Sequence, residues 1–510
     1  MPMSDRTLSI SSLVLVCAVV AVHSIVLQEW MLDDAFIFFR YAENWVAGHG
    51  LVFNPGEPPV EGFTSFLWLA LLALLHGFGT DLVDAAQVLG HGAVLATLAV
   101  VHQSWRWVAA IDVRTAAVAT LLLGTSSSFT TWSRGGMETG LQGLLVAAAC
   151  VAYLRARGGA GGLLQYVLIG GLLALLGMNR PDGLLVVAVL GGDALLFRQR
   201  HRRGGVVMTA LVFAVGFGGY YLWRFSYFGY PFPNTFYAKV TASGSQVIRG
   251  LDYLLLSAKT MGPILLLWLV SVAVRWSRIE VRVLSILVGV YTSYIIAVGG
   301  DVMPAQRFFA PVLAPLCLLG AFAVVGWHRW VGTAAVSLAM SFGLVTMFTT
   351  NLSVIRGDVV AFNGRIAGQW LGRHAPPGST IATNTAGTIV YYAKLRAIDM
   401  LGLNDLHIAR VVISGMGSGH AGHEKGDGDY VLAQNPEFVQ LGSSLGWLPT
   451  PLDPLPPFLG DQQLWANPKF RSGYKLVYSK GETRWPGGRR CGFFGFYVRN
   501  DLYDQMPKAK

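Results

Sequence analysis

The sequence has little charge: Asp, Glu, Lys and Arg together make up 13% of its 510 residues. An ordinary soluble protein carries about 25% charged residues. Hydrophobic residues make up 53%, and apolar runs long enough to cross a bilayer recur along the first 350 positions. This composition excludes an ordinary soluble enzyme and predicts a protein that crosses a membrane many times.

Cysteine is also scarce, and its four positions, Cys17, Cys150, Cys317 and Cys491, are too scattered for a disulfide framework or a metal site. The sequence also lacks a P-loop, a G-x-G-x-x-G fingerprint, a G-x-S-x-G elbow and a zinc motif. These absences remove the common signatures of nucleotide binding, serine hydrolysis and zinc catalysis. No cofactor follows from the residues, and a divalent cation is the one cofactor that they leave open.

The formal net charge of +10 could serve nucleic-acid binding, or the basic residues could set the orientation of helices in a membrane. Because the chain is so apolar, we assign the basic residues to topology and expect no nucleic-acid partner. Lys and Arg collect in five short connectors, at 105–114, 155–157, 198–203, 275–282 and 327–330. The positive-inside rule places all five connectors and the N-terminus in the cytoplasm.

Apolar runs between these connectors predict about eleven transmembrane helices. They fall at about 8–28, 83–103, 114–131, 139–154, 163–178, 183–197, 205–223, 253–274, 282–299, 308–326 and 332–350. The first run lacks a small-residue cleavage site, so it is predicted to be a retained helix rather than a signal peptide. A further run at 63–79 would put the basic connectors on alternating sides if it spanned. We therefore expect it to lie on the outer face or to dip into the membrane and return.

Hydropathy falls after residue 350, which predicts two domains: a transmembrane catalytic domain over 1–350 and an extracytoplasmic α/β domain over 351–510. The second domain contains strand-like runs, "STIAT", "YKLVY" and "GFYVR". Residues 380–405 have the pattern of a strand, a Gly-containing turn, a short helix and a second strand. The predicted fold class is a multi-pass α-helical membrane protein with a C-terminal extracytoplasmic α/β domain.

Two adjacent carboxylates, Asp33 and Asp34, follow the first apolar run within "MLDDAFIFFRYAENW". An Asp at this position can cap a helix or act as a general base at the membrane face. Neighbouring helical positions point about 100° apart, so the two cannot share one role. We favour Asp34 as the base and Asp33 as the cap of the helix that it begins, although the pattern also fits the reverse.

Acids and bases recur in the other loops that are predicted to face outward. Glu138 in "GGMETGL" is either a helix-capping acid or a group that orients an acceptor or holds a cation. Arg180 and Asp182 in "NRPDG" either begin a helix in the ordinary way or contribute to a site. The cluster "HEKGDGDY" at 423–430 has poor spacing for a metal, so a solvated loop is the simpler interpretation.

Two cations depart from the positive-inside pattern. Lys239 ends "YFGYPFPNTFYAK", which also contains Asn234 and Tyr237, and Arg307 follows Asp301 in "GGDVMPAQRF". An outward-facing cation at a membrane surface can bind a lipid phosphate, and an arginine can do so with two hydrogen bonds. Snorkelling to ordinary lipid phosphates is the alternative.

In this order, the motifs "LDD", "VEG", "GMETGL", "NRPDG", "YFGYPFPNTFYAK" and "GGD…RF" resemble the GT-C superfamily of polytopic glycosyltransferases. Within it, the chain is similar to the mycobacterial terminal arabinofuranosyltransferase AftB and its relatives over roughly 31–310. The resemblance implies a polyprenyl-phosphate-linked sugar donor, an extracytoplasmic glycan or lipid acceptor, and a place in the bacterial cytoplasmic (inner) membrane. It also implies a catalytic Asp in the first outer loop, which matches Asp33 or Asp34.

This resemblance assigns a role to each candidate residue. Arg307 and Lys239 would bind the donor phosphate and stabilise its charge as it leaves. The substrate-orienting residues would be Glu138, Glu61, Arg180, Asp182, Asn234, Tyr237 and Asp301. Direct displacement would invert the anomeric carbon. A transporter or flippase of a cell-envelope precursor is the alternative, although no internal repeat is evident and the ionisable residues gather at one face.

Overall fold

The computed structural model describes residues 5–27, 30–202, 204–241, 243–357, 360–443, 456–485 and 488–507. Gln28 and Arg203, which belong to predicted features, and the side chain of Cys491 lie outside the described residues. Within the described part, the chain forms a helical half followed by a smaller half built on a mixed sheet.

The described residues of the first half form helices joined by loops, with no strand. Its helices are α1 (Asp5–Val26), α2 (Asp33–Val46), α3 (Phe66–Gly77), α4 (Leu82–Trp107), α5 (Val113–Gly124), α6 (Ser127–Thr130), α7 (Thr139–Arg157), α8 (Leu163–Asn179), α9 (Gly183–Leu196), α10 (Gly205–Phe213), α11 (Gly219–Phe228), α12 (Asn234–Lys239), α13 (Gly244–Arg275), α14 (Ile279–Ala297), α15 (Leu313–Val324) and α16 (Arg329–Gly357). A π-helical segment at Ala214–Gly218 joins α10 to α11, and a 3₁₀ segment at Arg307–Val312 leads into α15.

Eight helical stretches in the described residues are long and apolar enough to cross a membrane. Each of the eleven predicted spans has a helical counterpart. Three of these counterparts, α5, α8 and α9, have 12, 17 and 14 residues, fewer than the roughly 20 that a straight span needs. The multi-pass helical class is therefore confirmed, and the number eleven stays a prediction.

The third predicted span, at 114–131, does not form one helix. It stops at Gly124 and continues as the short helix α6 and a 3₁₀ turn at Thr131–Ser133. The run "TSSSFTTWS" explains the break, because hydroxyl groups compete for backbone carbonyls: Thr125 Oγ1 donates to Leu121 O at 2.8 Å and Ser133 Oγ to Thr130 O at 2.8 Å. The run at 63–79 forms only the 12-residue α3, which packs against α2.

Five strands and seven further helices are found among the described residues of the second half. The strands are β1 (Thr380–Thr383), β2 (Arg396–Asp399), β3 (Phe438–Gln440), β4 (Tyr474–Trp485) and β5 (Gly488–Arg499). The helices are α17 (Val360–His374), α18 (Thr388–Ala393), α19 (Leu406–Arg410), α20 (Gly428–Ala433), α21 (Leu459–Ala466), α22 (Pro468–Gly473) and α23 (Asn500–Tyr503). The sheet has the order β2-β1-β3-β5-β4, with β1 parallel to β2 and β3 and with β5 antiparallel to β3 and β4.

This sheet confirms the α/β character predicted from the sequence. The three strand-like runs form β1, β4 and β5, and the pattern over 380–405 forms β1, α18 and β2. The predicted boundary at 350/351 falls inside α16, which continues to Gly357, so the division of the chain at that residue stays a prediction.

Three of the five basic connectors, at 105–114, 275–282 and 327–330, lie together at one end of the helical half. Arg278 Nη2 donates to Ala110 O at 3.0 Å, and Arg275 Nη2 donates to Val325 O at 3.3 Å, just before the connector at 327–330. The second half packs on loops at the opposite end, where Asn234 Nδ2 of α12 donates to Gly402 O at 2.9 Å. The two ends of the helical half thus differ in charge and in what covers them.

The helical half also closes one edge of the sheet. Asn54 Nδ2 donates to Ala397 O of β2 at 2.9 Å, and Ala397 N donates to Asn54 Oδ1 at 3.0 Å. A single side-chain amide thereby forms the pair of hydrogen bonds that a neighbouring strand would otherwise form.

Candidate active site

A cavity of about 410 Å³ lies between the helical half and the second half of the chain. Eight of the eleven candidate residues line it: Asp33, Asp34, Glu138, Arg180, Asp182, Lys239, Asp301 and Arg307. All eight come from the helical half. We call the part of the helical half that lines the cavity its floor. The second half contributes the roof, with Asn384, Thr385, His423 and Ser443 among its polar residues.

Arg180 binds two acids of the floor. Its Nη1 donates to Glu138 Oε1 at 2.6 Å and its Nε donates to Asp182 Oδ1 at 2.8 Å, while the Tyr291 hydroxyl donates to the other oxygen of Asp182. Glu138 and Asp182 occupy the N-cap positions of α7 and α9, as the helix-start alternative expected, but neither side chain hydrogen-bonds to that helix end. Glu138 Oε2 is buried and has no hydrogen-bond partner among the described residues.

Arg307 lies in the wall of the cavity rather than at the lipid surface. The residue is only 7% exposed, and its Nε donates to Asp301 Oδ2 at 2.6 Å. The rings of Trp132 and Phe308 lie 5.7 and 5.5 Å from its guanidinium carbon. The snorkelling alternative is therefore wrong for Arg307, whose two Nη groups donate to no described residue.

Lys239, in the last turn of α12, is the second predicted phosphate-binding cation. It is half-buried and lines the cavity, and its Nζ forms no ion pair or hydrogen bond within the described ranges. Its stem runs along Gly422 of the roof, where an added Cβ would come within 3.1 Å of Lys239 Cε. The ammonium group is thus held at the junction of floor and roof with its donors unused.

Asp33 and Asp34 have different environments although they are adjacent. The prediction that Asp33 caps its own helix is wrong, because Leu32 is the N-cap of α2 and no side chain caps that end. Asp33 instead accepts hydrogen bonds from Gly387 N at 3.1 Å and Thr388 N at 2.8 Å, and from the Thr388 hydroxyl. It caps α18 because the second half packs over the start of α2. Asp34 lines the cavity and forms no hydrogen bond or ion pair with a described residue.

Burial raises the pKa of Asp33 to about 6, although its hydrogen bonds with Thr388 and Gly387 act in the opposite direction. The negative charge of Asp34 contributes to this rise.

Glu61, Asn234 and Tyr237 do not line the cavity. Glu61 forms a buried, two-pronged ion pair with Arg224, and burial raises the pKa of Glu61 to about 7. Asn234 accepts from Arg410 Nη1 at 2.7 Å, and the guanidinium of Arg410 lies 4.5 Å from the Tyr237 ring. These three residues join structural elements, so the proposed site does not include them.

The "HEKGDGDY" segment is not a solvated loop, contrary to the simpler interpretation. Lys425 is buried and donates to Val411 O, and Glu424 accepts from Gly417 N at 2.7 Å and pairs with Arg249. His423 reaches the cavity. Within the described ranges, no group of three or more His, Cys, Asp or Glu is arranged to hold a metal ion.

His423 has a defined tautomer. Its Nδ1 lies 3.1 Å from the carbonyl oxygen of Ala421, which can only accept, so Nδ1 carries the proton. Burial lowers the pKa of His423, and the charge of Lys239 lowers it further. The neutral ring therefore keeps an unprotonated Nε2, which accepts no hydrogen bond from a described residue.

The roof also contains a buried acid. Asp461 accepts from Asn384 Nδ2 at 2.8 Å and from Gly442 N at 2.7 Å, and burial raises the pKa of Asp461 to about 7. In the sequence, His423 was considered only as part of the "HEKGDGDY" cluster, and nothing there singled out Asp461. These two residues and Asn384 come from separate segments that the folded second half brings together.

Two solved structures have a fold similar to that of this chain. ArnT from Cupriavidus metallidurans, bound to undecaprenyl phosphate, has a TM-score of 0.57 and 13% identity over 76% of this chain and 85% of that one. Arabinofuranosyltransferase AftD from mycobacteria has a TM-score of 0.52 and 14% identity over 98% of this chain and 40% of that one. The fold expected from the motifs is confirmed: this chain has the GT-C fold.

Sequence comparison adds one curated relative and one family. The terminal β-(1→2)-arabinofuranosyltransferase of Mycobacterium tuberculosis is 29% identical over 247 residues, which are 44% of this chain and 37% of the relative. The aligned part thus spans little more than a third of that relative. Residues 356–503 match a family described as a domain of unknown function, DUF8728.

Proposed function

We propose that this chain transfers a sugar from a polyprenyl-phosphate donor to a hydroxyl group of an extracytoplasmic glycan or lipid. One observation carries the proposal: a carboxylate and an ammonium group, Asp34 and Lys239, line one cavity without ionic partners among the described residues. The other acids of the floor are held by arginines or by α18. Free opposite charges at a membrane-facing cavity fit a reaction that needs a base and a phosphate-binding cation.

In the proposed reaction, Asp34 takes the proton of the acceptor hydroxyl as its oxygen attacks the anomeric carbon. The bond between that carbon and the phosphate oxygen breaks, and its electron pair leaves with the polyprenyl phosphate. Lys239 and the free Nη groups of Arg307 stabilise the phosphate charge. A single displacement of this kind inverts the anomeric carbon. The undecaprenyl phosphate bound to ArnT supports this class of donor, and the name of the mycobacterial relative supports the transfer of a sugar.

The roof is proposed to hold the acceptor. Its polar groups at the cavity are neutral, as expected for a surface that binds hydroxyl groups rather than phosphate. The unprotonated Nε2 of His423 is suited to accept a hydrogen bond from an acceptor hydroxyl. The donor would thus bind to the floor and the acceptor to the roof.

The test is to give purified protein a panel of radiolabelled polyprenyl-phosphate sugars, arabinofuranose included, together with cell-envelope glycans as acceptors. We expect the label to enter a glycosidic bond with wild type and to stay in the lipid with Asp34→Asn. Movement of labelled lipid across a vesicle bilayer without a new bond would instead indicate the transporter or flippase.

The orientation in the membrane is part of the proposal. We place the basic connectors in the cytoplasm and residues 351–510 outside. Single cysteines at Arg200 and Lys475, in a chain without its native cysteines, can be labelled on intact cells with a membrane-impermeant maleimide. We expect labelling at position 475 and not at position 200, and the opposite pattern would invert the topology.

A further inference from the structure

Helix α2 carries two opposite charges on one face, seven residues apart. Asp33 and Arg40 share that face because seven residues are close to two helical turns, a distance of about 10 Å. Helix α18 has six residues and is about 9 Å long. The spacing of the two charges on α2 therefore matches the length of the helix in the other half of the chain.

The two charges hold opposite ends of α18. Asp33 accepts from the first backbone N–H groups and from the Thr388 hydroxyl. Arg40, which is 5% exposed, donates from Nη1 to Val390 O at 3.0 Å and from Nη2 to Leu395 O at 2.8 Å. We call this set of contacts the α2–α18 clamp.

Aromatic rings fill the clamp between its charged ends. Phe36 lies 5.5 and 5.7 Å from the rings of Tyr391 and Tyr392, and Phe39 lies 6.0 Å from Tyr391. Gly387 allows the close approach at the start of α18, since a Cβ there would fall 2.0 Å from the backbone oxygen of Asp33. The clamp therefore fixes the backbone of α2 at the residue next to Asp34.

We propose that α18 is a positioning element for the reaction: Thr388 and Gly387, by holding Asp33, set the place of the neighbouring Asp34 in the cavity. The catalytic part of this inference rests on the proposed function. It assigns the second half of the chain a task besides acceptor binding, because the base is in place only while α18 is docked.

The test compares Thr388→Val, which removes only the hydroxyl donor, with Thr388→Ser, which restores it. Lys394→Ala is the matched control, because it breaks an exposed contact with Glu43 between the same two helices without touching Asp33. We expect Thr388→Val to lower kcat by about 10–100-fold, as a misplaced group does. KM for the lipid donor and the melting temperature should stay near those of Lys394→Ala, and Thr388→Ser should recover most of kcat. A purely structural contact would not produce this separation of kcat from KM.

A second readout does not depend on the substrate. Asp34→Cys, in a chain whose four native cysteines are replaced by alanine, reports the position of residue 34 through its rate of maleimide labelling. We expect Thr388→Val to change that rate several-fold while Lys394→Ala and Thr388→Ser leave it unchanged. Equal rates in Thr388→Val and Lys394→Ala would overturn the positioning role even if no transfer were found. Transfer that is normal in Thr388→Val would overturn it as well, and would leave the proposed function standing.

Discussion

The floor and the roof of the cavity handle polar groups in opposite ways. The floor pairs its charges: Arg180 holds two acids, Arg307 holds one, and α18 holds Asp33. Among the described residues of the floor that line the cavity, Asp34 and Lys239 are left without such a partner. The roof presents uncharged groups and keeps a nearby acid, Asp461, buried behind Asn384. The difference suggests that the two surfaces bind different groups. The charged floor would bind a phosphate, and the neutral hydrogen-bonding groups of the roof would bind a sugar. Substitutions in the floor should therefore affect donor binding or the rate of transfer. Substitutions in the roof should affect acceptor binding.

The largest expected effect is at the unpaired acid of the floor. Asp34→Asn should lower the rate of sugar transfer by about 10²–10⁴-fold, because an amide cannot take the proton of the acceptor. Asp84→Asn, an exposed acid in the first turn of α4, is the control and should transfer normally. Radiolabel transfer measures both, and normal transfer with Asp34→Asn would remove this residue as the base.

The next effect is at the phosphate-binding arginine. Arg307→Ala should weaken binding of a farnesyl phosphate probe by ~2–4 kcal/mol, the cost of losing an interaction with a charged group in a dry site. Arg307→Lys should recover only part, since an ammonium group does not reproduce the two-pronged guanidinium. Isothermal titration in detergent measures the affinity, with the exposed Arg373→Ala as control. Equal affinity in Arg307→Ala and Arg373→Ala would show that Arg307 serves only Asp301.

A smaller effect is expected in the roof, and it should concern the other substrate. His423→Ala should raise KM for the acceptor by about 5–10-fold, the loss of one net hydrogen bond, and leave farnesyl phosphate binding unchanged. His420→Ala removes an exposed imidazole from the same segment and is the matched control. If His423→Ala weakened the phosphate probe as well, the separation of donor and acceptor surfaces would be wrong.

The smallest effect is a pH dependence of stability. The folded-state pKa of Asp461, about 7, lies above its usual value of 3.8. Its stabilising contribution is therefore complete below about pH 4 and is lost as the pH rises through about 7. The melting temperature should fall between pH 5 and pH 8, and Asp461→Asn should reduce that fall by about 2–5 °C. The exposed Asp429→Asn is the control, and the same pH slope in all three proteins would contradict the assignment.

Hydropathy predicted the helical half well because each spanning segment must satisfy its own backbone hydrogen bonds, so local sequence decides it. The strands β1, β4 and β5 were predicted for a similar local reason. The break after Gly124 was missed, since the apolar residues before it keep the run at 114–131 apolar on average although its end is rich in hydroxyl groups. The local sequence pattern thus predicted where helices and strands form, but it did not predict the break within a helix.

The candidate site was predicted from charge in the outer loops, and eight of those residues do meet at one cavity. What the sequence could not supply was the partner of each charge. Asp33 and Thr388 are 355 residues apart, so no local pattern indicates that the acid caps a helix of the other half. Asn234 and Tyr237 looked like ligand-binding residues because they are polar and aromatic at a membrane surface, which also suits a contact between two halves of a chain.

The amide of Asn54 has a consequence for how the chain folds. An open strand edge recruits strands from other molecules, and β2 would have such an edge if the second half were produced alone. In the whole chain, Asn54 precedes its partner Ala397 by 343 residues, so it is synthesised well before the strand that it covers. The side chain that covers the edge of β2 is thus synthesised before β2 itself. The order of synthesis therefore helps to protect this edge from pairing with a strand of another molecule.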